Sequence, residues 1–304
     1  MVSKSVEAQR SVRRARRRRG RAGYVFVAPF MLVFLAMFVA PLAYAAYLSL
    51  FRSQIIGGTI FAGLQNYSQA ISDPLLRDGL LRIVKFFFLQ VPIMMVLATT
   101  FALIIDSGRV WLPKLYRVVF FVPYAVPAVV ASLMWAYMYG TKFGAFTQLA
   151  GKMGLPNPDF LSPSRILGSI ANIVSWEFIG YNMIIVYAAL RAIPTDLYEA
   201  ATLDGAGPIR IALTIKLPMV KSALGVILLF SVIGSFQLFN EPQVLSPAAG
   251  AAITPSWTPN LYAYNLAFTD QQINYAAAVS FLLGLVILVG TYVVFGLARL
   301  RRKA

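Results

Sequence analysis

Apolar residues run through this chain in long blocks separated by short polar stretches, without the strict alternation of a half-buried strand. Six blocks approach or exceed the roughly 20 residues that a helix needs to cross a bilayer. They are residues 24–50, 83–105, 118–139, 167–190, 223–240 and 276–298, the fifth being the shortest. Pro29, Pro41, Pro92, Pro123 and Pro127 lie inside or near the ends of these blocks, and membrane helices tolerate such kinks where neighbouring helices satisfy the freed carbonyls. "SDPLLRDG" and "PNPDFLSPS", between blocks, read as surface turns. The pattern predicts an all-α integral membrane protein with six transmembrane helices.

The first block contains "AYA" at Ala43–Ala45, which imitates a signal cleavage site. A signal core is only about 7–15 residues long and this block is longer, so it is expected to be retained. No repeat of about 20–50 residues is visible. The expected organisation is a disordered cytoplasmic arm over residues 1–23 and one six-span domain over residues 24–304.

Composition agrees. Hydrophobic residues make up 59% of the 304 and charged residues 12%, against roughly a quarter charged in a soluble domain, and the mean hydropathy is +0.71. With neither Cys nor His, a disulfide framework, a Cys/His zinc site and a Ser-His-Asp triad are excluded. The net charge of +16 does not point to nucleic acid, because its location matters. Nine of the 27 basic residues fall in the first 21 positions, and Arg299, Arg301, Arg302 and Lys303 close the chain. Both clusters abut apolar blocks, where Lys and Arg hold segments on the cytoplasmic side and attract anionic membrane lipid. Placing the N-terminus inside puts 20 of the 27 basic residues in inner segments, so both termini are expected in the cytoplasm of a bacterial plasma-membrane protein.

One polar stretch then stands out, "IPTDLYEAATLDGAGPIRIALTIKLP" from Ile193 to Pro218, on the inner side between the fourth and fifth blocks. Pro194 ends the fourth helix. Asp196 is expected as N-cap of a two-turn helix, with Glu199 reaching back to complete a capping box. Gly205 suits a left-handed C-cap, and Gly207-Pro208 restarts a helix that breaks at Pro218 into the fifth span.

Glu199-Ala200-Ala201, Gly205 and Ile215-Lys216-Leu217-Pro218 fit the pattern E-A-A-x₃-G-x₉-I-x-L-P. This resembles the cytoplasmic loop of permease subunits of ATP-binding-cassette importers, and "DGA" at Asp204–Ala206 is similar to the carbohydrate-importer version. "FFVPYAVPAVVASLMWAYMYG", "SWEFIGYNMIIVYAALRAIP" and "LFNEPQVL" extend the likeness over most of the chain. Where many members carry Gly-Gly-Pro after the fifth span, this chain has "SPAAGAAITP". The resemblance implies that residues 196–204 form a coupling helix seated in a separate ATPase subunit. Glu199 would offer it a carboxylate, Ala200 and Ala201 would allow close approach, and Gly205 would make the turn. Asp196, Asp204, Ile215, Leu217 and Pro218 complete the loop. It further implies a second permease subunit, two ATPase subunits, an extracytoplasmic solute-binding protein and a sugar substrate. The chain lacks a phosphate loop of its own, so no cofactor is expected here and ATP and Mg would be bound by the partner.

Polar residues inside spans are costly and are functional candidates. Glu177 sits in the fourth span with Trp176 and Tyr181 close by in sequence. In the fifth, Ser231, Gly234, Gln237 and Glu241 form an expected stripe with Asn240 beside it. Trp135 and Tyr139 could stack on a sugar ring. Polyol or glycerol phosphate import is the alternative within the class. An ion-coupled secondary transporter usually keeps a charged relay or an inverted repeat, whereas Glu177 reads as the only carboxylate deep in a span. A membrane-embedded enzyme would need paired acid/base or metal-ligand groups.

Overall fold

The computed structural model describes residues 24–54 and 57–300. The basic arm of residues 1–23 and Arg301, Arg302 and Lys303 lie outside the described residues. Thirteen helices and one hairpin are numbered here in chain order: α1 (Tyr24–Ser49), β1 (Phe51–Gln54), β2 (Gly58–Phe61), α2 (Gln65–Ser72), α3 (Pro74–Asp106), α4 (Pro113–Ala125), α5 (Ala128–Tyr139), α6 (Ala145–Lys152), α7 (Ile166–Arg191), α8 (Asp196–Leu203), α9 (Pro208–Met219), α10 (Lys221–Phe236), α11 (Asn240–Ala249), α12 (Pro259–Phe268) and α13 (Ile273–Leu300).

Helices α1, α3, α7 and α13 are each long and apolar enough to cross a membrane. Two further pairs are bent, α4 with α5 by 94° and α9 with α10 by 63°, so the described residues contain four straight spans, or up to six if each bent pair counts as one. The expected span 118–139 is therefore not one helix. Val126 takes extended backbone, with ψ of 128°, because a residue before proline is pushed out of the helical region, and Pro127 follows with ψ of 133°. The expected span 223–240 also ends early, at Phe236, and a new helix starts at Asn240.

Two local expectations change. "SDPLLRDG" is the start of α3 and not a turn: Asp73 caps it by accepting from Leu75 N at 2.9 Å, and Pro74 takes the first helical position. The antiparallel hairpin pairing Phe51 with Phe61 and Gln54 with Gly58 was not expected. Its cue is the Gly57-Gly58 pair at positive φ, the backbone a tight hairpin connection requires.

Both π-helical turns precede a proline. Leu35–Val39 lies before Pro41 and Ala212–Lys216 before Pro218. A proline ring clashes with the carbonyl four residues back, here that of Met37 or Thr214, and a widened turn relieves the clash.

Helices α3 and α7 form the central pair. Lipid tails are as apolar as leucine, so close packing holds such helices together more than expulsion of water does. Small residues serve this: Ala98, Ala102, Ala171 and Ser175 are buried. At Gly180 an added Cβ would overlap the backbone carbonyl of Phe120, so α4 lies directly against α7. One core cluster gathers Met94, Ile105, Leu190, Ile193 and Val220 at the α8 end. A second gathers Ile83, Phe86, Trp135, Ile170, Leu245 and Trp257 toward the opposite end. Arg82 joins α3 to the segment before α12 there, donating to Trp257 O at 2.7 Å.

Candidate functional site

The stretch after α7 folds as a helix, a turn and a second helix, with one correction at its start. Thr195, not Asp196, is the N-cap, and it makes no side-chain capping bond; its carbonyl accepts from Tyr198 N and Glu199 N. Asp196 is the first helical residue and Glu199 the fourth, one position too far for a capping box. Both still lie in the first turn, where negative charge complements the helix dipole.

The far end of α8 closes as expected. Gly205 has φ of +79°. Its N–H donates to Thr202 O at 3.0 Å, and Ala206 N donates to Ala201 O at 2.9 Å, the paired bonds of a Schellman motif. Gly207 then caps α9, with Pro208 at its first position.

No residue of α8 is buried. Asp196, Glu199 and Ala200 are exposed and Ala201 is half-buried. Leu203 is 89% exposed and Ile209, just beyond Asp204 and Gly205, 77% exposed. None of the carboxylates of Asp196, Glu199 and Asp204 forms an ion pair with a described residue. Ile215 and Leu217 are half-buried on α9 and Pro218 is exposed. Lys216 and Tyr198 instead face the membrane body, Lys216 pairing with Asp106.

A second group of candidates meets where α5, α7 and α11 pack together. The Trp135 and Trp176 rings sit edge to face, with centroids 5.8 Å apart, and Tyr139 lies 5.2 Å from Trp135. Asn172 Nδ2 donates to Tyr139 OH at 2.8 Å. A cavity of about 650 Å³ opens beside them, lined among others by Trp135, Tyr139, Phe146, Phe160, Arg165 and Asn172. Deeper in, Glu177 and Glu241 interact directly while only 4% and 7% exposed. The buried Ser132 Oγ, Trp135 Nε1 and Glu177 Oε1 have no hydrogen-bond partner among the described residues. Aromatic faces and unpaired polar atoms in a membrane interior suit a polyhydroxylated ligand, whose C–H faces stack and whose hydroxyls both donate and accept.

Other candidates lie apart. Tyr181 stacks on Tyr124 at 4.5 Å, while Gln237 and Asn240 are exposed. The expected stripe of Ser231, Gly234, Gln237 and Glu241 does not exist, because residues 237–239 leave the helix. That break folds α11 back and carries Glu241 onto Glu177, so Glu177 is not the only buried carboxylate. Pro242 was an available cue, since proline is accommodated in a helix's first turn. Ser132, Asp106 and Tyr198 were missed altogether; nothing in their sequence context marks them.

Residues 98–303 match the family described as binding-protein-dependent transport system inner membrane component. The chain is 30% identical to the lactose transport system permease protein LacF of Rhizobium radiobacter over 287 residues, covering 92% of this chain and 95% of that one. It is 26% identical to the sn-glycerol-3-phosphate transport system permease protein UgpA of Pectobacterium atrosepticum over 274 residues, covering 90% and 92%. A solved bacterial alginate ABC transporter, in complex with alginate pentasaccharide-bound periplasmic protein, contains a chain of the same fold. The TM-score is 0.82 at 18% identity, over 94% of this chain and 97% of that one.

Proposed function

The chain belongs to the family of binding-protein-dependent transport system inner membrane components, and from that membership we propose that it is one permease subunit of a sugar importer in the bacterial plasma membrane, driven by separate ATPase subunits that grip α8. It is a multi-pass membrane protein of an ABC transporter. The observation that carries the coupling reading is the state of α8. This helix has no fully buried residue, ends in a hydrogen-bonded glycine cap and, with Ile209 at the start of α9, presents Glu199, Ala200 and Leu203 to whatever docks.

In this reading two ATPase subunits hydrolyse ATP, one for each of two paired permeases, and a binding protein delivers solute at the opposite face. The Glu199 carboxylate meets a basic group of the ATPase, and Ala200 and Ala201 let the helix seat closely. Tilting of α8 moves the bent α9–α10 pair and opens the pathway on alternate sides. The membrane-interior candidates are Trp135, Trp176, Glu177 and Glu241, with Tyr181 one turn further along α7 against Tyr124 and with Gln237 and Asn240 at the break after α10. A neutral saccharide fits this interior better than glycerol phosphate. α5 and α11 carry no Lys or Arg to pair with a phosphate, α7 carries only Arg191 at its end, and the one basic residue lining the cavity, Arg165, precedes α7.

Proteoliposomes holding the permease pair and the ATPase, supplied with the binding protein, test both halves. Labelled saccharide is expected to accumulate with ATP, while glycerol phosphate is not; the reverse would sink the sugar reading. Glu199→Lys places like charges together, which costs several kcal/mol, so ATPase affinity is expected to fall by about a hundred-fold or more and uptake with it. Unchanged association and uptake in that variant would remove α8 from the coupling role.

A further inference from the structure

Helix α8 is joined to its neighbours by two short linkers, residues 192–195 and 204–207, the second of which turns at Gly205. These links hold α8 only at its two ends, and a sideways attachment carries its displacement into the membrane more directly. That attachment is Tyr198, which packs against the cluster holding Met94, Ile105, Leu190 and Val220.

Lys216 of α9 stands over the Tyr198 ring, its Nζ 4.7 Å from the centroid. The same ammonium pairs with Asp106, the last residue of α3, at 2.5 Å from Oδ2, with side chains only 13% and 5% exposed. The other ion pair among the described residues, Arg77 with Asp78, is open to solvent. A largely buried pair is costly to desolvate and is strongly destabilising to break from one side, so it holds its two elements together or not at all. The Tyr198 hydroxyl has no hydrogen-bond partner among the described residues. Burial first, and then the negative charge of Asp106, push it above its ordinary pKa, with Arg191 pulling the other way. The charged groups around Tyr198 thus come from α3, α7 and α9.

We propose that Asp106, Lys216 and Tyr198 form a clasp that passes movement of α8 to α3 and to the α9–α10 pair, making them positioning residues for the transport stroke. The bend between α9 and α10 falls at Val220, which is buried in the same cluster. α10 packs on α3, and α3 on α7. A push on α8 therefore reaches both the central helix pair and the hinge through one ring and one ammonium. Cutting the clasp leaves the partner free to hydrolyse ATP while less of its motion arrives in the membrane.

The proposal rests on α8 being the ATPase's handle, and the test separates the two. The complete complex in proteoliposomes is assayed for solute moved per ATP hydrolysed. Lys216→Met, which keeps most of the stem but loses the charge, is expected to lower this ratio by about ten-fold, within the roughly 5–150-fold range of energetic coupling between sites, with the ATPase still bound. Lys216→Arg keeps the cation over the ring and is expected to retain about half the ratio or more. A wild-type ratio in Lys216→Met overturns the clasp, and so does an equal loss in both variants. If Lys216→Met does not assemble, Tyr198→Leu takes its place with the same expected loss, and an unchanged ratio there overturns the clasp too. If Glu199→Lys leaves ATPase association intact, the handle reading fails. If it abolishes association while Lys216→Met keeps the ratio, only the clasp fails.

Discussion

Asp73 shows how much one side chain does in this fold. Its Oδ1 caps α3 through Leu75 N at 2.9 Å, while Oδ2 accepts from Tyr262 OH at 2.7 Å and Tyr275 OH at 2.6 Å. One carboxylate thereby ties α3, α12 and α13 together. Burial pulls its pKa up, but the phenol donors Tyr275 and Tyr262 and the amides of Leu75 and Leu76 outweigh burial, and it lies below its ordinary value of 3.8. A carboxyl depressed in the folded state stabilises fully above its unfolded value and loses that contribution as pH falls through the folded one. Asp73→Ala is therefore expected to cost about 2 kcal/mol near neutral pH, the sum expected from a lost cap and charge-assisted hydrogen bonds. The gap in unfolding temperature between wild type and variant, measured in detergent, should close as pH drops below 3.8. A gap that stays constant into acid would mean that the carboxylate charge contributes nothing. The tyrosine partners themselves were not legible: Asp73 and Tyr275 stand 202 positions apart, and only tertiary folding brings them together.

Between elements, contact distance decides what substitution is tolerated. α4 lies so close to α7 at Gly180 that a methyl group would meet the Phe120 carbonyl, whereas at Gly168 on the same helix a Cβ meets nothing within 4 Å. Gly180→Ala is expected to destabilise the protein by about 1–3 kcal/mol through overpacking, and Gly168→Ala to be neutral or slightly stabilising through helix propensity. Thermal unfolding of both variants checks this, and equal behaviour would mean that α4 and α7 are not in direct contact. The same scale explains what could be read beforehand. α1 and α7 were legible because hydropathy reports a long apolar run directly. The break between α4 and α5 was not, since Val126 and Pro127 are as apolar as the helices they separate and only the backbone changes there. The end of α10 was hidden likewise, and with it the meeting of Glu177 and Glu241. In the α8 loop the glycine turn and the Pro208 restart were read correctly because local backbone chemistry dictates them. The N-cap was misplaced by one residue because Thr195 and Asp196 are both acceptable caps.

At the scale of the whole molecule, the orientation we propose, with α8 on the cytoplasmic side, rests on 20 basic residues assigned to inner segments against seven outside. The chain contains no cysteine, so a single introduced thiol reports its own side without background. Leu155, in the loop between α6 and α7, and Leu203 of α8 are both exposed. Leu155→Cys is expected to react with a membrane-impermeant maleimide on intact cells, and Leu203→Cys only after the membrane is opened. The opposite pattern would invert the topology and put α8 out of reach of any cytoplasmic ATPase.

Asn274 Nδ2 donates to Leu48 O at 2.8 Å, across 226 positions, and α1 finds its main packing surface on α13. During synthesis the opening helix therefore leaves the ribosome long before its neighbour exists, and it waits in lipid with little besides acyl chains around it. The pairing of α1 with α13 therefore comes late in biogenesis and is highly non-local, the kind of contact that forms slowly. A nascent chain halted before residue 273 would hold α1 to α12 yet leave α1 without that packing surface, the form that quality-control proteases should recognise first.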